Sequence, residues 1–301
     1  MSRSFRTSDY LALIAYTCVV VAILMAGLVG WGFLNARADP LVRTAYISLP
    51  GWSPNTPPVT VALLSDIHIG NAVMNPARLK RIVTQTNALH PDVVMLAGDF
   101  VVGHDPSGAD ARAAALTAPL SGLRARIGVV AVLGNHDHWT SATAVRAALT
   151  RAGIVVLDNQ AWRAGPIAVA GVGDAFSGHD NPESTLRAAR QLSRPIVVLT
   201  HSPDISDNLP SDVRIVLAGH THCGQVTLPW GAALFTRSPL ANGKALYDPK
   251  FRCGIIHDPH RDVVVTAGVG SGTLPIRFGA APDIWLLAVG PGVGAPTSGV
   301  R

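Results

Sequence analysis

Five apolar runs in this chain each end on a short polar cluster, and that repetition restricts the fold more than any other feature. Val59 to Ser65 leads into Asp66-Ile67-His68, and Pro91 to Ala97 leads into Gly98-Asp99. Ile127 to Leu133 leads into Gly134-Asn135-His136-Asp137, Pro195 to Leu199 into Thr200-His201, and Arg214 to Ala218 into Gly219-His220-Thr221-His222. Short, near-continuous apolar runs of this kind read as strands buried on both faces, as in a parallel sheet. Open α/β sheets gather ligands beyond the carboxyl ends of their strands. Five such strands therefore bring Asp, Asn and His side chains to one rim. Carboxylate, amide and imidazole groups converging there suit divalent transition metals, commonly two of them.

Between these runs the pattern turns helical. Asn75 to His90 opens on Asn75-Pro76, a capped start, and carries Leu79, Ile82 and Val83 on one face. Ala109 to Leu123, Ser141 to Ala152 and Pro182 to Leu192 are the other helix candidates. Strands alternating with helices argue for a parallel sheet covered by helices. Ile154 to Val172 holds two short strands around a turn near Arg163 to Pro166. After Gly219 only strands and turns follow: Val226 to Leu228, Gly254 to His257, Val263 to Val269 and Ile284 to Val289. A second sheet packed on the first gives the expected architecture, an α/β fold of four layers (an α/β/β/α sandwich) preceded by one N-terminal transmembrane helix. The expected divisions are a cytosolic stub and anchor over residues 1–38, a Pro/Gly/Ser-rich linker over 39–58, the α/β domain over 59–289 and a flexible tail over 290–301.

The anchor rests on Leu11 to Leu34, 24 residues without a charge, which as a helix would extend roughly 36 Å and cross a bilayer with some tilt. A cleaved signal peptide is the alternative, since Ala36-Arg37-Ala38 fits a small-x-small cleavage site, but its apolar core would normally be shorter. Arg3, Arg6 and the terminal amine argue for the N-terminus inside, while Arg37 and Arg43 stand on the other flank, so sidedness stays open. The whole 301-residue chain is 48% apolar and 14% charged, enough to build a core without disulfides. Its net charge of +5 is scattered rather than gathered into a basic stripe, which argues against nucleic acid as a partner. Of the three cysteines, Cys18 lies in the apolar segment, and Cys223 and Cys253 pair only if the fold brings them together. Cys223, next to His222, also invites reading as a ligand, although harder ligands already suffice.

Spacing within the clusters fits metal chemistry. In Asp66-x-His68 and His220-x-His222, residues two apart at a strand end face the same way. Asp99 has two carboxylate oxygens with which to bridge two cations, and Gly98 lets the backbone come close. Asn135 offers a neutral amide oxygen, so the site keeps net positive charge for an anionic phosphate ester. His90, His104, His138, His179, His257 and His260 read as surface or loop residues. The loops Phe100 to His104 and Ile69 to Met74 are more apolar than ligation requires. They are placed either to receive acyl chains or to pack beneath neighbouring loops.

The order and form of these motifs resemble the calcineurin-like metallophosphoesterases over roughly residues 59–289. The resemblance implies one cation held by Asp66, His68, Asp99 and His222 and a second held by Asp99, Asn135, His201 and His220. It further implies that His136 contacts the phosphate and protonates the leaving oxygen, with Asp137 orienting His136. Mn, Zn and Fe all occur in such sites, so the two divalent ions are not identified by the ligands. The N-terminal anchor, Leu217 to Val226 and Gly268 to Ile284 look like a narrower bacterial branch. It includes membrane-associated phosphodiesterases and the pyrophosphatase that cleaves UDP-2,3-diacylglucosamine in lipid A synthesis. That likeness implies a single-pass protein of the bacterial inner membrane acting on a phosphorylated small molecule or lipid-linked substrate. Alternatives are a broad-specificity envelope phosphodiesterase and a non-catalytic scaffold. Arg277, in Leu274-Pro-Ile-Arg-Phe-Gly279, is the expected substrate-phosphate contact, because a guanidinium fork suits phosphate oxygens; a surface salt bridge is its other reading.

Overall fold

Alternation along the strands decides the layering. In β2 (Val59–Leu64), Val59, Val61 and Leu63 enter one core while Ala62 and Leu64 enter another. β3 (Val93–Ala97) and β4 (Gly128–Val132) divide in the same way. With β1 (Leu41–Ser48), β5 (Val155–Val156) and β12 (Asp283–Gly290) they form a six-stranded sheet in the order β1-β12-β2-β3-β4-β5. The second sheet, also six-stranded, runs β10-β11-β9-β8-β7-β6. Its strands are β6 (Gln160–Ala164), β7 (Ile167–Gly171), β8 (Ile196–Leu199), β9 (Ile215–Ala218), β10 (Gly254–His257) and β11 (Asp262–Val265). The inner faces share one core, in which Leu63, Met95 and Val132 meet Val169, Leu199 and Leu217. The computed structural model describes residues 7–53 and 55–292, so the first six residues and all but the start of the expected tail lie outside it.

Helices close the outer faces. α2 (Pro76–Ala88), α3 (Ala109–Leu120) and α5 (Ala142–Arg151) bury Leu79, Ile82, Leu116 and Leu149 against the first sheet. α6 (Pro182–Gln191) buries Leu186 and Ala189 against the second. The start of α2 has its expected cap, and polar side chains cap α5 and α6 in the same way. The Asn75 side chain accepts from Arg78 N at 2.9 Å, Ser141 from Ala144 N at 3.2 Å and Asn181 from Ser184 N at 3.1 Å. The four-layer sandwich is therefore present.

Three local expectations need correction. The linker over 39–58 contains β1, which pairs in parallel with β12 from Leu41↔Asp283 to Ser48↔Gly290. As an edge strand it buries only Ile47 well, and its partner lies some 240 residues away, so no local pattern announces it. The stretch 154–172 holds three strands, and the chain changes sheet between β5 and β6. Val226 to Leu228 makes isolated bridges, to Phe278 and Ala233, rather than a strand.

α1 (Thr7–Arg37) is long and apolar enough to cross a membrane: within the span Tyr10–Arg37, an 18-residue stretch has a mean hydropathy of 2.6 and is not buried by the domain. Only its last turns dock, with Gly32 and Ala36 buried.

Candidate metal centre

The strand ends deliver their ligands through strained backbone. Asp66, His68, Asp99, His220 and His222 all adopt positive φ, from 49° to 69°, which non-glycine residues rarely do. Such strain persists where surrounding structure over-determines it, characteristically at functional sites. Gly98 is required for a different reason. At φ 85° it carries the chain so close that a Cβ would lie 2.7 Å from His201 Nδ1 and 2.8 Å from Gly134 N. A Cβ on Gly134 would strike the Asp99 carboxylate.

All seven expected ligands converge, and their donor atoms fall into two sets that share Asp99. In the first, Asp66 Oδ1 lies 3.3 Å from His222 Nε2 and 3.8 Å from His68 Nε2, and the two imidazole nitrogens are 3.1 Å apart. In the second, His201 Nε2 lies 3.1 Å from Asn135 Oδ1 and 3.2 Å from His220 Nδ1. Asp99 Oδ2 stands between them, 3.5 Å from His68 Nε2 and 3.3 Å from His201 Nε2. Donors held about 2.1 Å from a common cation sit roughly 3.0–3.4 Å apart in octahedral or tetrahedral shells. The residues therefore fit two cations bridged by Asp99. Asp66 Oδ1 is buried with no hydrogen-bond partner, a costly arrangement that a cation would relieve.

Backbone carbonyls fix which nitrogen each ring presents. His201 Nδ1 donates to Ala97 O at 2.7 Å and His220 Nε2 to Leu246 O at 2.8 Å, leaving His201 Nε2 and His220 Nδ1 as ligand atoms. Asp66 commits Oδ2 to Ser65 Oγ and to His220 N. His136 donates from Nδ1 to Gly103 O, so Nε2 is the nitrogen left for a substrate. This corrects the expectation for Asp137. Its Oδ1 accepts from Phe100 N and Val101 N and its Oδ2 from Gly134 N, so it caps α4 (Asn135–Thr140) and ties down the loop after Asp99 instead of orienting the His136 ring.

Charge follows the same design. Burial pushes His68 down to about 3, and burial with the neighbouring His201 pushes His220 down to about 4, so both stay neutral, the form that ligates metal. Burial, His68 and Arg277 hold His222 well below its ordinary value. Burial raises Asp66 to about 7, with Asp99 adding to the effect. Burial acts against ionised Asp99 too, but the imidazoles of His201, His136 and His68 outweigh it and hold Asp99 well below the usual carboxylate range.

Arg277 is where the structure departs from the expected substrate contact. It is fully buried behind His222, and it donates to the carbonyls of Gly270, Ala267 and Ala280 at 2.7 to 3.0 Å. Its Nη2 lies 3.2 Å from His222 Nδ1. The guanidinium is thus spent on the backbone that seats His222. Cys223 is not a ligand either; it forms a disulfide with Cys253 across 30 residues. The loops after Asp66-x-His68 and Asp99 also differ from the acyl-receiving alternative, since Ile69, Val73, Met74, Phe100 and Val101 are buried.

The apolar surface at the site comes from residues that no motif marked. A cavity of about 340 Å³ opens over Asp99, Asn135, His136, His220 and His222. Its walls include Trp139, Phe176, Phe235, Leu240, Leu246 and Leu274, and its lining cation is Arg237. Phe176 lies 4.6 Å from the His220 ring, on a turn that buried Asp174 holds by accepting from Phe176 N, Ser177 N and Ser177 Oγ. The only sequence cue was aromatic residues close after Asn135-His136 and after β7.

Two facing sheets whose strand ends present two donor sets around a shared carboxylate define a dinuclear metal-site protein of the α/β class. The chain belongs to the calcineurin-like phosphoesterases, whose family profile matches residues 59–224. It is 28% identical to a transmembrane protein with metallophosphoesterase domain from Danio rerio, over 94% of this chain and 65% of that protein. It is 25% identical to the UDP-2,3-diacylglucosamine pyrophosphatase LpxG of Chlamydia trachomatis, over 91% of this chain and 97% of that one. A crystal structure of a dimetal phosphatase from Danio rerio overlaps 71% of this chain and 88% of its own, with a TM-score of 0.44 and 13% identity. The chain spans 65% and 58% of the length of the Danio rerio and Bos taurus transmembrane relatives.

Proposed function

We propose that this chain is a membrane-anchored hydrolase that cleaves a phosphodiester or pyrophosphate bond in an amphiphilic substrate, with UDP-2,3-diacylglucosamine the first substrate to test. One juxtaposition carries the reading: members of both donor sets (Asp99 and His222 of the first, Asp99, Asn135 and His220 of the second) form the floor of a cavity with aromatic and aliphatic walls. A polar floor and apolar walls suit a molecule with a phosphate at one end and hydrocarbon at the other. The likeness to the Chlamydia trachomatis enzyme supports the same choice, and α1 supports a bilayer anchor. Two bound divalent cations would supply a water of lowered pKa and positive charge for the phosphoryl oxygens. The protein's own groups do the rest. Asp99 Oδ1 accepts from His136 N at 2.9 Å, fixing His136 beside the bridging carboxylate. With Nδ1 tied to Gly103 O, the His136 Nε2 delivers a proton to the leaving oxygen. Arg237 stands in the wall as the cation for a second phosphoryl group or another anionic part of the substrate.

The disulfide favours a second reading, an envelope phosphodiesterase. Disulfides persist in oxidising compartments, and Cys223–Cys253 lies beside His222 within the catalytic domain. Turnover of UDP-2,3-diacylglucosamine by the full chain with Mn²⁺, with Asp99→Ala as the blank, separates the two readings. Release of UMP that the variant loses supports pyrophosphate cleavage. Hydrolysis of a generic phosphodiester without UMP release rejects the nucleotide-lipid substrate in favour of envelope phosphodiesters.

A further inference from the structure

The end of α1 and the mouth of the cavity belong to one continuous surface. Gly32 is packed against Phe278 and Ile276, its carbonyl accepts from Arg277 N at 3.0 Å, and the Trp31 and Phe278 rings are 5.4 Å apart. Phe278 in turn donates from its N to Gln225 O and accepts from Thr227 N, both at 2.9 Å. From there the chain runs into a hairpin closed by Leu228 N→Ala232 O at 2.8 Å, with Trp230 at its tip, and returns through Leu234 N→Val226 O. Gln225, Phe235, Leu240 and Leu274 line the cavity itself.

This surface is unusually apolar for one left in water. Trp230 is 76% exposed, Leu234 54% and Phe235 48%, and Leu240 and Leu274 are also exposed. Arg237 stands exposed among them. Large exposed apolar residues gathered in one place mark an interaction surface. The continuity with α1 indicates which one. The domain first touches the helix at Trp31 and Gly32, so the bilayer boundary falls there if α1 spans the membrane. Trp230 is three residues beyond Thr227, which is bonded to Phe278, and three residues reach at most about 11 Å. The polar interfacial layer of a bilayer is roughly 5–8 Å deep on each side, a zone where tryptophan and arginine are favoured.

We infer that the face formed by the Trp230 hairpin, Phe235, Leu240 and Leu274 docks on the bilayer, with Trp230 and Leu234 entering the headgroup–acyl boundary and the cavity opening onto the lipid. This rests on the reading that α1 spans the membrane, but it does not depend on any substrate. An amphiphile would then reach the ligand cluster without leaving the lipid phase.

Tryptophan quenching in nanodiscs tests the docking face. The full chain is reconstituted in phosphatidylcholine and phosphatidylglycerol discs with and without brominated acyl chains. Trp230→Phe and Trp31→Phe variants isolate the emission of each residue. Docking predicts that the Trp230 share is quenched by brominated lipid to an extent similar to the Trp31 share. Quenching of Trp31 with Trp230 untouched overturns the docking face and leaves the anchor standing, whether the hairpin is then solvated or covered by a second copy. Loss of quenching at both positions overturns the docking face and the anchor together. Hydrolytic activity plays no part in the readout, so failure of the proposed reaction leaves this result separately interpretable.

Discussion

Asp99 and His136 are adjacent at the site, but substitution should separate their roles. Asp99→Ala removes the oxygen common to both donor sets, so metal stoichiometry and activity fall together. His136→Ala should keep metal content and lower kcat by about 10²–10⁴ if Nε2 serves as the acid. Metal analysis beside steady-state kinetics makes the distinction. Chelation should also lower the melting temperature, because occupancy at 100-fold over Kd contributes about 2.7 kcal/mol per site. That gain should shrink as pH falls through about 7: burial holds the Asp66 carboxyl there, and below it a proton must be displaced before the carboxylate ligates. A thermal shift with added Mn²⁺ that is constant from pH 8 to 5 would contradict this. Arg277→Met should destabilise by more than about 3 kcal/mol, since several buried carbonyls lose their donor. Its KM should stay unchanged in the folded fraction; a raised KM with normal stability would restore the substrate contact read from the motif.

The element that most needs its tether is the turn after β9, where His220, His222 and Cys223 all hold positive φ. The disulfide joins this turn to Cys253, just before β10. Closing a loop of this length contributes about 3–4 kcal/mol by chain entropy. Cys253→Ser, or reduction of the native protein, should therefore lower the melting temperature by roughly 6–15 °C. Calorimetry with and without reductant checks it. Elements were legible where their signal was local. The start of α2 follows from Asn75-Pro76 as a capped opening, α5 and α6 begin within a residue of the expected Ser141 and Pro182, and β10 covers the expected Gly254–His257. β1 was not legible, because it is formed by pairing with β12 and not by its own pattern.

For the whole molecule, the open question at the sequence level was which side of the membrane holds the catalytic domain. Charge counts on the two flanks of α1 nearly balance, whereas a disulfide in the folded domain favours the oxidising side. A C-terminal fusion to a reporter that matures only in an oxidising compartment should be active. An inactive fusion paired with an active cytoplasmic reporter would reverse the orientation and remove the support for an envelope substrate.

Sequence alone determined the set of candidate ligands, because a parallel strand must end at the rim and residues two to four places beyond β2, β3, β4, β8 and β9 are carried there; their division between two cations came from the resemblance to the metallophosphoesterases. Asp66, His68, Asp99, Asn135, His201, His220 and His222 are read from strand ends that lie up to 156 residues apart and meet in two sets. The helix able to span a membrane was equally plain, since an uncharged run of that length needs no tertiary context. Only the tertiary structure decided the rest. It buried Arg277, turned Asp137 to the backbone and paired Cys223 with Cys253. It also gathered Trp139, Phe176, Phe235 and Leu274 into a cavity wall. Those outcomes depend on which side chains meet across segments far apart in the chain, and a residue's own type and neighbours carry no record of that meeting.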